Sequence, residues 1–304
     1  MKRSLRIVPA AVAAVFLASC GGGNTQSSGM PQAPPRTNAF SVVENGVAIG
    51  GTHIMPSRQN TAVRAIAQAT TSSNLIYGDG LVQLNAKVYL VFWQFYRNDP
   101  YGEQPRITTF VRGLNRSQWT SELTQYYDRS GHISNDIVYG GSWNDNANAI
   151  PLHATQAQVA AEAARAAAHF GDYSANAMYL IAVEKGKDPE GFGTQWCAFH
   201  SDTPASGHTI AYEDFPYQTD AGASCGENAV NSGTAGRLDG VTIVGGHEIV
   251  EAVTDPQPYS GWADPRANEI ADKCAWTYMK NTSFSTGSFP TQSLWSNSGS
   301  HCVQ

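Results

Sequence analysis

Hydrophobic and polar positions are distributed differently in three parts of the chain. After Met1-Lys2-Arg3-Ser4-Leu5-Arg6, residues 7–18 are almost wholly apolar. That run is shorter than the roughly 20 residues needed to span a bilayer and has the shape of a signal-peptide core. Residues 21–38 (GGGNTQSSGMPQAPPRTN) offer little to bury and read as a disordered tether. From Ala39 onward apolar residues recur to the end, which predicts one globular domain over 39–304.

Inside that domain the period changes from element to element. Asn74–Tyr77 and Val88–Tyr96 are β-rich, and the second (VYLVFWQFY) is apolar enough for a central strand. Helices are predicted at Thr108–Leu114, at Ser117–Tyr127 with Ser117 as N-cap, and at Thr155–Phe170 with Thr155 as N-cap. Further strands are expected at Asp136–Gly140 and Met178–Val183. Trp196–His200 and His208–Tyr212 read as a hairpin, and SVVENGVAIGG as another around Asn45-Gly46. Asp239–Thr254 reads as a helix that stops at Asp255-Pro256. The alternation predicts an α/β or α+β fold, a mixed sheet flanked by helices.

Composition narrows the class. Charged residues are only 14% of the 304 and hydrophobic ones 41%. An average soluble domain has about 25% charged residues, so coiled coils and charge-driven disorder are excluded. The net charge of −6 argues against a nucleic-acid partner. The apolar run ends Leu17-Ala18-Ser19-Cys20, which looks like a bacterial lipobox. Residues 1–19 are then a lipoprotein signal, Cys20 is lipidated, and 20–38 is the tether. The protein would sit in the cell envelope, anchored to membrane, periplasmic or surface-exposed. Removing residues 1–19 takes Lys2, Arg3 and Arg6 from the 19 basic residues and none of the 25 acidic ones, moving the charge from −6 to −9. Of five cysteines, Cys20 is the odd one. An exported chain keeps disulfides, and sequence order pairs Cys197 with Cys225 and Cys274 with Cys302.

The chemistry concentrates in Gly245–Trp276. His247-Glu248-Ile249-Val250-Glu251 is an H-E-x-x-E motif, and on a helix His247 and Glu251 share one face. Both are sound Zn²⁺ ligands, and in the related H-E-x-x-H arrangement the neighbouring Glu is the general base for metal-bound water. That gives Glu248 the catalytic role in a zincin-like helix. Glu at the fifth position also admits harder ions than zinc. A third ligand is expected downstream, with Glu269 favoured, Asp272 as competitor or orienting partner, and Asp264 also available. The motif alone also fits an amphipathic helix with solvated Glu. Here the helix is otherwise apolar, and a buried Glu needs a partner. His200 and His208 flank the predicted hairpin and read as polar loop histidines, although either could add a ligand. Phe92, Trp93, Phe95 and Tyr96 read as core before sugar platform.

GHEIVEAVTDP, Trp262 and EIADKC, in that order, resemble the C-terminal signature of the phosphate-induced protein 1 / EXORDIUM family of plants and its bacterial relatives. NLIYG with VYLVFW, the Ser117–Trp119 segment and YLIAVEKGKDPEGFGTQWCAFHS are similar to further family blocks, so the resemblance spans roughly 74–302. Ala198 stands where the family often has Gly. The resemblance implies a secreted, wall-associated protein and leaves its activity open, while the lipobox points to a bacterial cell envelope. The ligand chemistry of the HExxE helix predicts a zinc-dependent hydrolase, a peptidase acting on peptide or cell-wall substrates; the alternative is a non-catalytic envelope or surface-binding protein with a structural metal or acidic polar network.

Overall fold

A computed structural model describes residues 43–44, 47–48, 51–59, 73–95 and 98–304. Cys20, the signal segment, the tether and Tyr96 lie outside the described residues. All described residues belong to one unit, Ala33–Gln304, as expected for a single domain. Val43–Glu44 and Val47–Ala48 pair antiparallel on either side of Asn45-Gly46, as the turn dipeptide predicts.

The centre is a mixed sheet of six strands: β1 (Thr52–Pro56), β2 (Lys87–Trp93), β3 (Val138–Asp145), β4 (Ala177–Val183), β5 (Trp196–Ala205) and β6 (His208–Phe215). Their order across the sheet is β1-β5-β6-β4-β2-β3. The β3, β2, β4 and β6 pairings are parallel, while β5 runs antiparallel to both β6 and β1. Val88, Leu90 and Phe92 point to one face with Met178 and Leu180, while Tyr89, Val91 and Trp93 point to the other with Tyr179 and Ile181. A strand buried on both faces needs no polar positions, which is why VYLVFW is continuous.

Among the described residues, three longer helices cover the sheet: α1 (Glu103–Gly113), α2 (Gln156–Phe170) and α3 (Asp239–Thr254). Thr155 and Gln158 form a reciprocal capping box that starts α2, whose Val159, Ala160 and Ala163 pack on the Tyr89 face. On the opposite face lie α1 and α3. A Cβ on Gly245 would meet Ile107 of α1 at 2.8 Å, and one on Gly246 would meet Phe110 and Trp119 at 3.1 Å. The glycine pair therefore lets α3 approach α1 closely. Every residue of α3 is buried, including His247, Glu248 and Glu251.

Two helices differ from expectation. α1 begins at Glu103, earlier than Thr108, because the Asp99 carboxylate accepts the N–H groups of Gly102, Glu103 and Gln104. A 3₁₀ helix, Thr120–Gln125, replaces the α-helix expected over 117–127. Hydroxyls of Ser121 and Thr124 bond carbonyls three residues back, which favours the tighter turn. Ser117 Oγ still accepts the Thr120 N–H at 3.1 Å.

Asp214 on β6 is pushed up to about 8 by burial, and its Oδ1 has no hydrogen-bond partner among the described residues. It is neutral in the fold at neutral pH but ionises in the unfolded chain near pH 4. Its stabilising contribution is full below the unfolded value and is lost as pH rises through about 8. Thermal melts of Asp214→Asn are expected to lose less stability between pH 5 and 8 than wild type; identical slopes would contradict the assignment.

Candidate metal centre

The sequence around the site explains its geometry. α3 ends at Asp255, whose Oδ1 accepts the N–H groups of Ser260 and Gly261 and so fixes the turn after Pro256. The chain then returns through Trp262 to Glu269 and Asp272, and the Cys274–Cys302 disulfide ties that return down. The second disulfide, Cys197–Cys225, ties the start of β5 to the segment preceding α3. Both pairings match the order read from the sequence, and both agree with an exported protein.

On the sheet side, His53 of β1 lies directly opposite His200 of β5, which in turn lies opposite Glu213 of β6. Cross-strand neighbours share a face, so a polar row crosses the sheet beneath α3. The two imidazole centroids are 5.7 Å apart. His200 is thus a buried strand residue at 0% exposure, correcting its reading as a loop histidine. His208 begins β6 and is exposed, stacked with Tyr173 and away from the site. His301 is exposed, while Phe92, Trp93 and Phe95 are core.

Helix, sheet and return segment bring together His53, His200, His247, Glu248, Glu251, Glu269 and Asp272. Each imidazole is held through one nitrogen. His53 Nε2 is 2.7 Å from the Ala267 carbonyl, His200 Nδ1 is 3.0 Å from Glu248 Oε2, and His247 Nδ1 is 3.3 Å from Gln292 Oε1. In each ring the other nitrogen has no hydrogen-bond partner among the described residues. Glu251 Oε2 and both Glu269 oxygens are equally unpartnered and buried. These atoms face one another: His53 Nδ1 to Glu251 Oε2 is 3.4 Å, His200 Nε2 to Glu269 Oε2 is 3.6 Å, and His247 Nε2 to Glu251 Oε1 is 3.1 Å. Donors around one tetrahedral zinc, at about 2.0–2.2 Å each, lie roughly 3.3–3.6 Å from each other. These buried His and Glu groups could hold a metal ion.

Electrostatics agree. Burial, then Asp255 and Glu251, hold Glu269 well above the usual carboxylate range. Burial also raises Glu248. Burial opposes charging of His53, yet Asp272 and Glu251 outweigh it and raise it to about 10. Glu213 is raised by burial and by Glu248. The pocket holds more negative charge than it can solvate, which a cation relieves.

Sequence reasoning placed His247, Glu251, Glu269 and Asp272 in one site, and they meet there. Glu269 and Asp272 share one turn, closed by the Lys273 N–H on the Glu269 carbonyl at 3.3 Å, and the 3₁₀ helix begins at Asp272. Asp264 is occupied elsewhere, accepting from the backbone of Arg266 and Asn268 and facing Lys273. Glu248 accepts the Met55 N–H at 2.9 Å through Oε1 and faces His200 through Oε2. His53 was missed because a lone His in a short β segment carries no motif; its signal is the register with His200. Neither a family model, a curated protein nor a solved structure matches the chain.

Gln292 Oε1 fixes the His247 ring while its Nε2 donates to Ala271 O at 2.7 Å. Orienting partners of metal-bound His are typically worth 10–100-fold in affinity. Gln292→Leu is expected to weaken binding of a divalent ion held by His247 by about that factor in a chelator competition assay; an unchanged affinity for every bound ion would remove Gln292 from the site.

Proposed function

We propose that this is an exported, lipid-anchored zinc protein of the EXORDIUM-like kind, attached to membrane through Cys20, in which the metal fastens β1, β5 and the return segment to α3. The observation that carries the reading is the shared arrangement of the buried imidazoles, of which His53 and His200 meet at one set of donors. Each is oriented through one nitrogen and presents the other, unpartnered, to carboxylate oxygens. That is how proteins prepare histidine for a metal. His53, His200, Glu251 and Glu269 form a set whose donor atoms all lie within 4.8 Å of one another. Four protein donors fill a tetrahedral zinc and leave no open position, the hallmark of a structural site.

A second reading, metal-assisted hydrolysis of a peptide or cell-wall substrate, is favoured by Asp272, whose side chain retains 6% exposure at the rim. In that reading Glu248 activates a metal-bound water. Its engagement with Met55 and His200 fits the structural role better, because both of its oxygens already hold fixed protein partners.

Metal analysis of the full-length chain purified without chelator is expected to find tightly held zinc. A site at about 1,000-fold excess of free metal over Kd contributes roughly 4 kcal/mol, so chelation should lower Tm by on the order of 10 °C. Finding no metal, and no chelator effect, would overturn the reading in favour of a proton-stabilised polar network. Glu248→Gln separates the two roles: lower thermal stability with no hydrolysis of a peptide library by wild type supports the structural one. Loss of a wild-type hydrolytic activity with metal retained supports the catalytic one.

A further inference from the structure

A closed set of His53, His200, Glu251 and Glu269 leaves His247 and Asp272 without a role, although His247 is at 0% exposure. Its Nε2 is unpartnered and aimed into the cluster. The buried donors fall into two sets with internal separations within 4.8 Å: His53, His200, Glu251 and Glu269 in one, His247, Glu248 and Glu251 in the other. Glu251 belongs to both, and its two oxygens diverge. Oε2 faces His53 Nδ1 at 3.4 Å, whereas Oε1 faces His247 Nε2 at 3.1 Å. Asp272 Oδ1 completes the second side, 3.5 Å from His247 Nε2.

We infer that the centre takes two divalent cations, with Glu251 bridging them. The inference rests on the metal reading above and adds a second ion held by His247 Nε2, Glu251 Oε1 and Asp272 Oδ1. Glu251 Oε1 also accepts the Asp272 N–H at 2.9 Å, and a carboxylate oxygen has lone pairs for both. His247 Nε2 lies 3.1 Å from Glu251 Oε1 and 3.5 Å from Asp272 Oδ1, separations that fit donors on one metal. Carboxylate-linked metal pairs sit about 3.5–4 Å apart, which the two oxygens of one bridging carboxylate can span.

Charge is compatible with a second ion. When metal displaces the protons of the cluster, Glu248, Glu251, Glu269 and Asp272 bring four negative charges and the neutral imidazoles none, and two dications balance that group of side chains, 0–6% exposed. The sets also differ in kind. The first has four protein donors and the second three.

The test is metal stoichiometry of the full-length chain equilibrated with Zn²⁺ and dialysed, compared with His247→Gln. Two zinc ions per wild-type chain and one per variant are expected. One ion in both would overturn the second site while leaving the first intact. None in either would overturn the metal reading itself. Should the variant fail to fold, wild type loaded with Mn²⁺ serves instead. A spin-coupled dimanganese electron paramagnetic resonance signal supports the bridge, and an isolated Mn²⁺ spectrum at saturation overturns it.

Discussion

Seven ionisable side chains share one place from which water is excluded, and the architecture around them follows from that constraint. Charge removed from water is costly unless it is paired and hydrogen-bonded. The outer parts of the cluster meet this requirement with protein groups. Met55 N–H serves Glu248, Gln292 serves His247, and Ala267 O serves His53. The inward-facing atoms are left to one another. Because His53, His247 and Glu269 come from three separate parts of the chain, satisfying them orders strand, helix and return segment together.

Much of this was legible in the sequence, for physical reasons. The Thr155–Gln158 capping box and the unbroken apolar run of β2 are local signals, and local signals survive folding. The HExxE spacing encodes a shared helix face, and the disulfide order follows from two cysteine pairs near in sequence. What was illegible depends on long-range register. His53 becomes informative only once β1 is laid against β5, and Glu213 only once β6 is placed beside it. The role of Glu248 was half legible: the motif marks it as functional, but its partners lie at a sequence separation of 48 and 193.

The Gly245-Gly246 step preceding His247 connects packing to chemistry. The absence of side chains there lets Ile107, Phe110 and Trp119 close over α3. The helix is therefore walled on one side by aromatic rings and on the other by the polar row of the sheet. Both Trp119 and His247 touch Gln292, through its carbonyl and its side chain respectively, so that wall and site share an anchor.

The span of the donor set along the chain has a consequence for assembly. The bond from His53 to Ala267 crosses 214 positions, and the strand bearing His53 precedes every other element of the main sheet. No nascent or truncated chain ending before Asp272 can present the complete set of donors. Contacts of such long range are among the slowest to form in folding. The donor set is therefore completed late, after the whole domain has emerged.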